Sequence, residues 1–154
     1  MITLRPATTN DLPTLVAMRN DLNALERAGC PHAAIQPLTL EEFAAVWGPT
    51  LGSPTHCWRV VEADGRPIGF GMIYLLFPQT RAPGAFLQWA YLAPEFRRQG
   101  TGRLLLDHLL EWARSQGARR VELQYIDGNQ IAEQFWTRMG FRPYARKCAR
   151  DLSS

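Results

Sequence analysis

A chain of 154 residues, 46% hydrophobic and 20% charged with net charge +3, has the composition of a single globular domain over residues 1–154. At this size it can bury a sizeable core without disulfides or metal. The longest apolar run, Gly69–Phe77, is far short of the ~20 residues that cross a bilayer. Met1 leads straight into Ile2-Thr3-Leu4-Arg5, without the basic and apolar segments of a signal peptide. Cys30, Cys57 and Cys148 form no C-x-x-C pair. The expectation is therefore a cytoplasmic protein with reduced thiols, no membrane association and no metal.

Ile2–Arg5 reads as a first strand. Asn10 or Asp11 caps a helix in which Leu12, Leu15, Val16, Met18 and Leu22 recur at helical spacing, and Gly29-Cys30-Pro31 ends it. After a loop to about Leu38, Thr39-Leu40-Glu41-Glu42 has the form of a capping box and predicts a second helix to about Leu51. Cys57–Ala63 and Pro67–Phe77 read as strands joined by the hairpin dipeptide Asp64-Gly65. Ala85–Leu92 is a further strand, stopped by Ala93-Pro94. A helix over about 101–116 is predicted to turn Leu104, Leu105, His108, Leu109, Trp112 and Ala113 inward, making His108 a core histidine, with Gly117 closing it. Arg119–Ile126 reads as a strand, 129–139 as a short helix with Ala132, Phe135 and Trp136 inward, and 141–152 as a last strand. This order predicts an α/β architecture, a mixed α+β sheet flanked by helices. Such an order fixes no function by itself.

The chemistry concentrates where the third long strand meets the third helix. Between Leu92 and Arg103 the chain turns through Gly100 and Gly102 and enters a helix at once. The first N–H groups of a helix have no internal partner, and the macrodipole places about +0.5 charge there. Glycines let a phosphate approach such an end closely. Arg97, Arg98 and Arg103 add cations within a turn, and sixteen of the seventeen basic residues in the chain are Arg, which holds phosphate in a planar fork. A Walker loop is excluded because no Lys lies here, and a dinucleotide fingerprint because Leu105 occupies the third glycine position.

The turn satisfies [RQ]-x-x-G-x-[GA] through Arg97, Gly100 and Gly102, and Asn129–Phe141 satisfies N-x-x-A-x-x-aromatic-aromatic-x-x-x-G-F. In these segments the chain resembles the GNAT superfamily of N-acetyltransferases. The resemblance is strong over residues 85–145 and does not extend to sequence in the first two helices. It implies the GNAT acyl-CoA N-acyltransferase fold and an acetyl-CoA cosubstrate. On the same grounds the backbone of Ala90, Tyr91 and Leu92 would pair with the pantetheine arm as a pseudo-strand. Arg97, Arg98, Gln99, Gly100, Thr101, Gly102 and Arg103 would hold the pyrophosphate, and Asn129 would bond the cosubstrate near the pantetheine.

The resemblance weakens at the catalytic groups. Many members carry an acidic Tyr on the last helix where this chain has Trp136, and a basic Glu at positions matched here by Gln88 and Gln124. An indole cannot release a proton and an amide cannot accept one. Water held by the glutamines, Glu122, Asp127, Tyr125 or Tyr91 remains open as the proton acceptor, and Glu122 and Gln124 share a face by strand alternation. The acceptor site would lie under a roof formed by 22–37, with Glu26 facing a cationic amine. The implied activity is direct transfer of an acetyl group to a primary amine. The alternative is a catalytically degenerate acyl-CoA sensor. The five tryptophans are not interleaved with basic residues, which excludes a nucleic-acid platform. Cys30, His32, His56 and Cys57 lack the spacing of a metal site. A homodimer through the final strand is implied on family grounds alone.

Overall fold

The computed structural model describes residues 1–30 and 36–152. Contacts divide the chain into Met1–Gln124 and Tyr125–Ser154. In the first part, β1 (Ile2–Pro6) is followed by a 3-10 turn and α1 (Leu12–Gly29), then by α2 (Leu40–Trp47). β2 (His56–Ala63), β3 (Arg66–Leu76) and β4 (Gly84–Leu92) come next, then α3 (Thr101–Ser115) and the two-residue β5 (Val121–Glu122). The five strands form one sheet in the order β1-β2-β3-β4-β5, antiparallel except for the parallel pair β4–β5. This is the mixed sheet flanked by helices that the element order predicts.

Local chemistry accounts for most boundaries. The capping box forms: the Glu42 N–H donates to the Thr39 hydroxyl at 3.1 Å and the Thr39 N–H to the Glu42 carboxylate at 2.8 Å. Asp64 and Gly65 both adopt positive φ, 49° and 79°, which suits the twist of a tight hairpin. Asp11 stands immediately before α1, but its carboxylate turns back to the Thr8 N–H (2.7 Å) and is gripped at two oxygens by Arg5, both at 2.8 Å. Arg5 also donates to Glu62 at 2.7 Å, so one guanidinium ties β1 and β2 to the start of α1. α1 ends at Gly29, as predicted; Pro31 and His32 lie outside the described residues.

One face of the sheet carries Val60, Phe70, Met72, Trp58, Trp89 and Tyr91 against Leu15, Val16 and Phe43 of α1 and α2. Burying each such large side chain contributes about 1.5–3 kcal/mol. The other face meets α3, where a Cβ on Gly71 would lie 2.7 Å from Leu109 and 3.1 Å from Leu105. The buried stripe of α3 is Leu105, Leu106, Leu109 and Ala113. Leu104 is 48% exposed and His108 is exposed, which corrects their expected inward placement; the helix is rotated toward Leu106. His108 is not a core histidine. Its Nε2 accepts from Arg59 Nε at 2.8 Å across the surface.

Two expected strands are reduced. Only Val121 and Glu122 of 119–126 pair, and 141–152 forms no strand among the described residues. Neither alternate set in 141–152 is apolar, because Arg142, Arg146, Lys147 and Arg150 interrupt it, and every residue from Arg142 to Leu152 is exposed. The second part holds α4 (Gln130–Arg138), capped by Asn129, whose side-chain oxygen accepts from the Ala132 N–H at 3.1 Å. Phe135, Trp136 and Phe141 pack edge-on within it. No helix among the described residues is long and apolar enough to cross a membrane.

Candidate active site

The site is built on an irregularity in β4. Met72 pairs with Trp89 and Ile73 with Leu87, which leaves Gln88 as an extra residue on β4. Such a bulge bends a strand and reverses its facing. Gly71 faces α3, so Ile73 and its partner Leu87 share that face, while Trp89 and Tyr91 sit in the cluster with α1 and α2. Burial alternates from Gly84 to Tyr91, yet the inward residues of β4 serve opposite layers before and after Gln88.

Beyond the bulge, β4 and β5 part. Their pairing ends at Phe86–Glu122, so among the described residues no strand pairs with this edge of β4 from Leu87 onward. The Ala93 N–H donates to Ile68 O at 2.8 Å, which fixes the phase of the β3–β4 ladder. Antiparallel alternation then commits Tyr91 to Phe70 and turns the N–H groups of Ala90 and Leu92 toward the open edge. Gly69 is required here: a Cβ would lie 2.4 Å from Tyr91 O.

The open edge leads into the glycine turn. After a 3-10 turn over Pro94–Phe96, Arg97 is extended, Arg98 takes φ 61° and Gly100 takes φ 83° as the residue before α3. A non-glycine residue at positive φ is uncommon and costs on the order of 1 kcal/mol. Among the described residues, no N–H of 98–103 has a protein acceptor; the first helical bond runs from Leu104 N to Gly100 O at 3.0 Å. Six adjacent amides are therefore left without a protein acceptor at the positive end of a 15-residue helix. No neighbouring atom lies within 4 Å of where a Gly100 Cβ would be, so the approach is open.

The arginines divide their work. Arg97 does not reach over the amides: its Nε donates to Leu92 O at 2.8 Å and its guanidinium lies 5.7 Å over the Tyr91 ring, tying the turn to the strand end. Arg103 pairs with Asp107 at 3.6 Å on the exposed side of α3. Burial, followed by the Asp21 carboxylate, pushes the Tyr91 hydroxyl above the usual tyrosine range, while Arg97 pulls it back. Tyr91 is thus a neutral phenol at pH 7.

Gln88 is half-buried at the bulge, and Glu122 sits at the closed end of the gap with Oε1 3.2 Å from Arg120 Nε. Gln124 is exposed and lies past the end of β5, so the shared strand face expected for Glu122 and Gln124 is not formed. Glu26 lies on α1, its carboxyl pushed up by burial and pulled back by Arg19. The expected roof includes residues 31–35, which lie outside the described residues. Tyr125, Asp127, Asn129 and Trp136 belong to the second part; Asn129 spends its oxygen on capping α4 and Trp136 is held between Phe135 and Phe141. The bulge and the parting of β4 from β5 leave no mark in the sequence, because Leu87, Trp89 and Tyr91 keep an unbroken period of two.

Known proteins resemble this chain in sequence and in fold. A thialysine N-epsilon-acetyltransferase from Sus scrofa is 27% identical over 94 residues, 56% of this chain and 55% of the relative. An aminoglycoside N(6')-acetyltransferase type 1 from Serratia marcescens is 27% identical over 106 residues, 66% of this chain and 73% of the relative. The chain thus spans about half the length of the first of these. The solved aminoglycoside N-acetyltransferase AAC(6')-Iy in complex with CoA superposes with a TM-score of 0.74 at 18% identity, covering 99% of this chain and 96% of that one. The model of the acetyltransferase (GNAT) family matches residues 16–141, and the chain belongs to that family.

Proposed function

We propose that the protein transfers an acetyl group from acetyl-CoA to a primary amine in a ternary complex. One observation carries this reading: six unpaired amides at the start of α3 lie at the end of a β4 edge whose Ala90 and Leu92 N–H groups are also unspent. The amides of 98–103, with Arg98 and Arg103, take the pyrophosphate. The open edge takes the pantetheine arm as a strand takes its neighbour. Arg97 acts as a positioning residue through Leu92 O and Tyr91.

Attack requires a neutral amine, although a lysine-like amine has a pKa of about 10.4. The Ala90 N–H is placed to donate to the thioester oxygen as negative charge develops there. The thiolate leaves without an acid, since a thiol of pKa about 8.5 is a tolerable leaving group. This removes the need for a proton donor where Trp136 stands. Proton removal from the amine falls to Glu122 or to water held at Gln88. Unpaired cysteines among the described residues suit a reducing, cytoplasmic setting.

Gly100→Asp places a carboxylate at the mouth of the amides. CoA affinity should fall more than a hundredfold, on the order of 3 kcal/mol of charge-assisted hydrogen bonding. Gly100→Ala, measured alongside, isolates the strain of φ 83° from the charge. Equal affinity of the Asp and Ala variants by calorimetry would remove the pyrophosphate from this turn. Release of free thiol from acetyl-CoA in the presence of an amine panel tests the transfer itself.

A further inference from the structure

We infer that a rank of four side chains across the sheet, His56, Tyr74, Phe86 and Glu122, is the acceptor subsite, and that it selects a monoamine carried on a flat apolar body. This rests on the acetyl-transfer reading above. The register places the four residues in one line: His56 pairs with Tyr74, Tyr74 with Phe86 and Phe86 with Glu122. Tyr74 is two residues along β3 from Met72, so the line faces the layer of α1 and α2. All four are half-buried. His56 and Tyr74 stack with ring centroids 5.5 Å apart and 21° between planes, and Tyr74 lies 5.7 Å from Phe86.

The rank stands at the place where transfer would occur. Phe86–Glu122 is the last paired step before β4 and β5 separate, and hence the closed end of the gap. A cosubstrate arm that enters from Gly100 and follows the open edge past Leu92 and Ala90 points its thioester toward that end. An ammonium at Glu122 would be delivered there, with its carrier lying on Phe86 and Tyr74. Rings of this kind favour a flat apolar body by dispersion and attract a cation to their faces.

Charge decides among amines. Glu122 is the single carboxylate of the rank, and its Oε1 already meets Arg120. The net charge of +3 repels a polycation more strongly than a monocation. The burial of His56 pushes its imidazole below the usual histidine range, so it contributes a neutral ring.

The experiment is a calorimetric titration of 2-phenylethylamine into the CoA-saturated protein, with kanamycin and lysine as competitors, followed by steady-state acetylation. Phenylethylamine should bind at least tenfold more tightly than either competitor. Glu122→Gln and Phe86→Leu should each weaken amine binding tenfold or more and raise KM, while CoA affinity stays within twofold. Phe86→Leu keeps an apolar side chain in the sheet. Tighter kanamycin or lysine binding, or amine affinity unchanged in both variants, overturns the subsite. So does a fall in kcat for Glu122→Gln with KM and amine affinity intact, which would assign Glu122 to proton removal alone. Failure of CoA to bind the wild-type protein would instead reject the acetyl-transfer reading, and is seen before any amine is added.

Discussion

Asp11 shows how much a single buried carboxylate contributes here. Its accessible fraction is 8%, and Arg5, then the Thr8 N–H and hydroxyl, hold its pKa at about 2 from a starting value of 3.8, against the opposing pull of burial. A folded-state value below the unfolded one stabilises the protein at pH values above the unfolded pKa. That contribution, about 2 kcal/mol, is lost as pH falls from about 4 through 2. Asp11→Asn should lower urea stability by about this amount at pH 7 and flatten the acid side of the stability profile between those values. An unchanged profile would move the acid sensitivity elsewhere. Gly69 is the other residue with one fixed reason to be what it is. Gly69→Ala drives a Cβ to 2.4 Å from Tyr91 O and 2.5 Å from a Leu92 methyl, so β3 and β4 must separate. A loss on the order of 3 kcal/mol, read as a thermal shift, is expected.

At the scale of elements, the helix ends differ in how their first turns are capped. α2 is eight residues long, too short to persist without its cap and its packing against the core. Thr39→Ala removes the hydroxyl that accepts the Glu42 N–H and should cost about 1 kcal/mol in chemical denaturation, with cosubstrate affinity unaffected. α3 presents the opposite arrangement. No side chain caps its first turn, and its N-terminal amides have no protein acceptor among the described residues. α4 shows a residue with competing claims. Asn129 is expected to meet the cosubstrate, yet its oxygen caps the helix, which leaves its amide nitrogen and one oxygen lone pair for a ligand.

Across the first part of the chain, the bulge at Gln88 is the organising feature. It lets one strand feed two hydrophobic layers and bends β4 away from β5. Deleting Gln88 would restore simple pairing and swing Trp89 and Tyr91 out of the aromatic cluster toward α3. The deletion should abolish cooperative unfolding and near-ultraviolet dichroism, whereas Gln88→Ala, which keeps the residue count, should stay folded within about 1 kcal/mol. Retention of native dichroism by the deletion variant would show that the register does not depend on the extra residue.

The sequence by itself determined the element order as far as α4, the hairpin at Asp64-Gly65, the capping box at Thr39 and the glycine turn at Gly100, because each depends on the chemistry of a few adjacent residues. It could not reveal that Leu87 and Trp89 face opposite layers, that β5 stops after Glu122, or that Arg97 turns back to Leu92. Nor could it place His56, Tyr74, Phe86 and Glu122 in one rank. Those outcomes depend on the register between strands distant in sequence, where one unpaired residue shifts every contact beyond it.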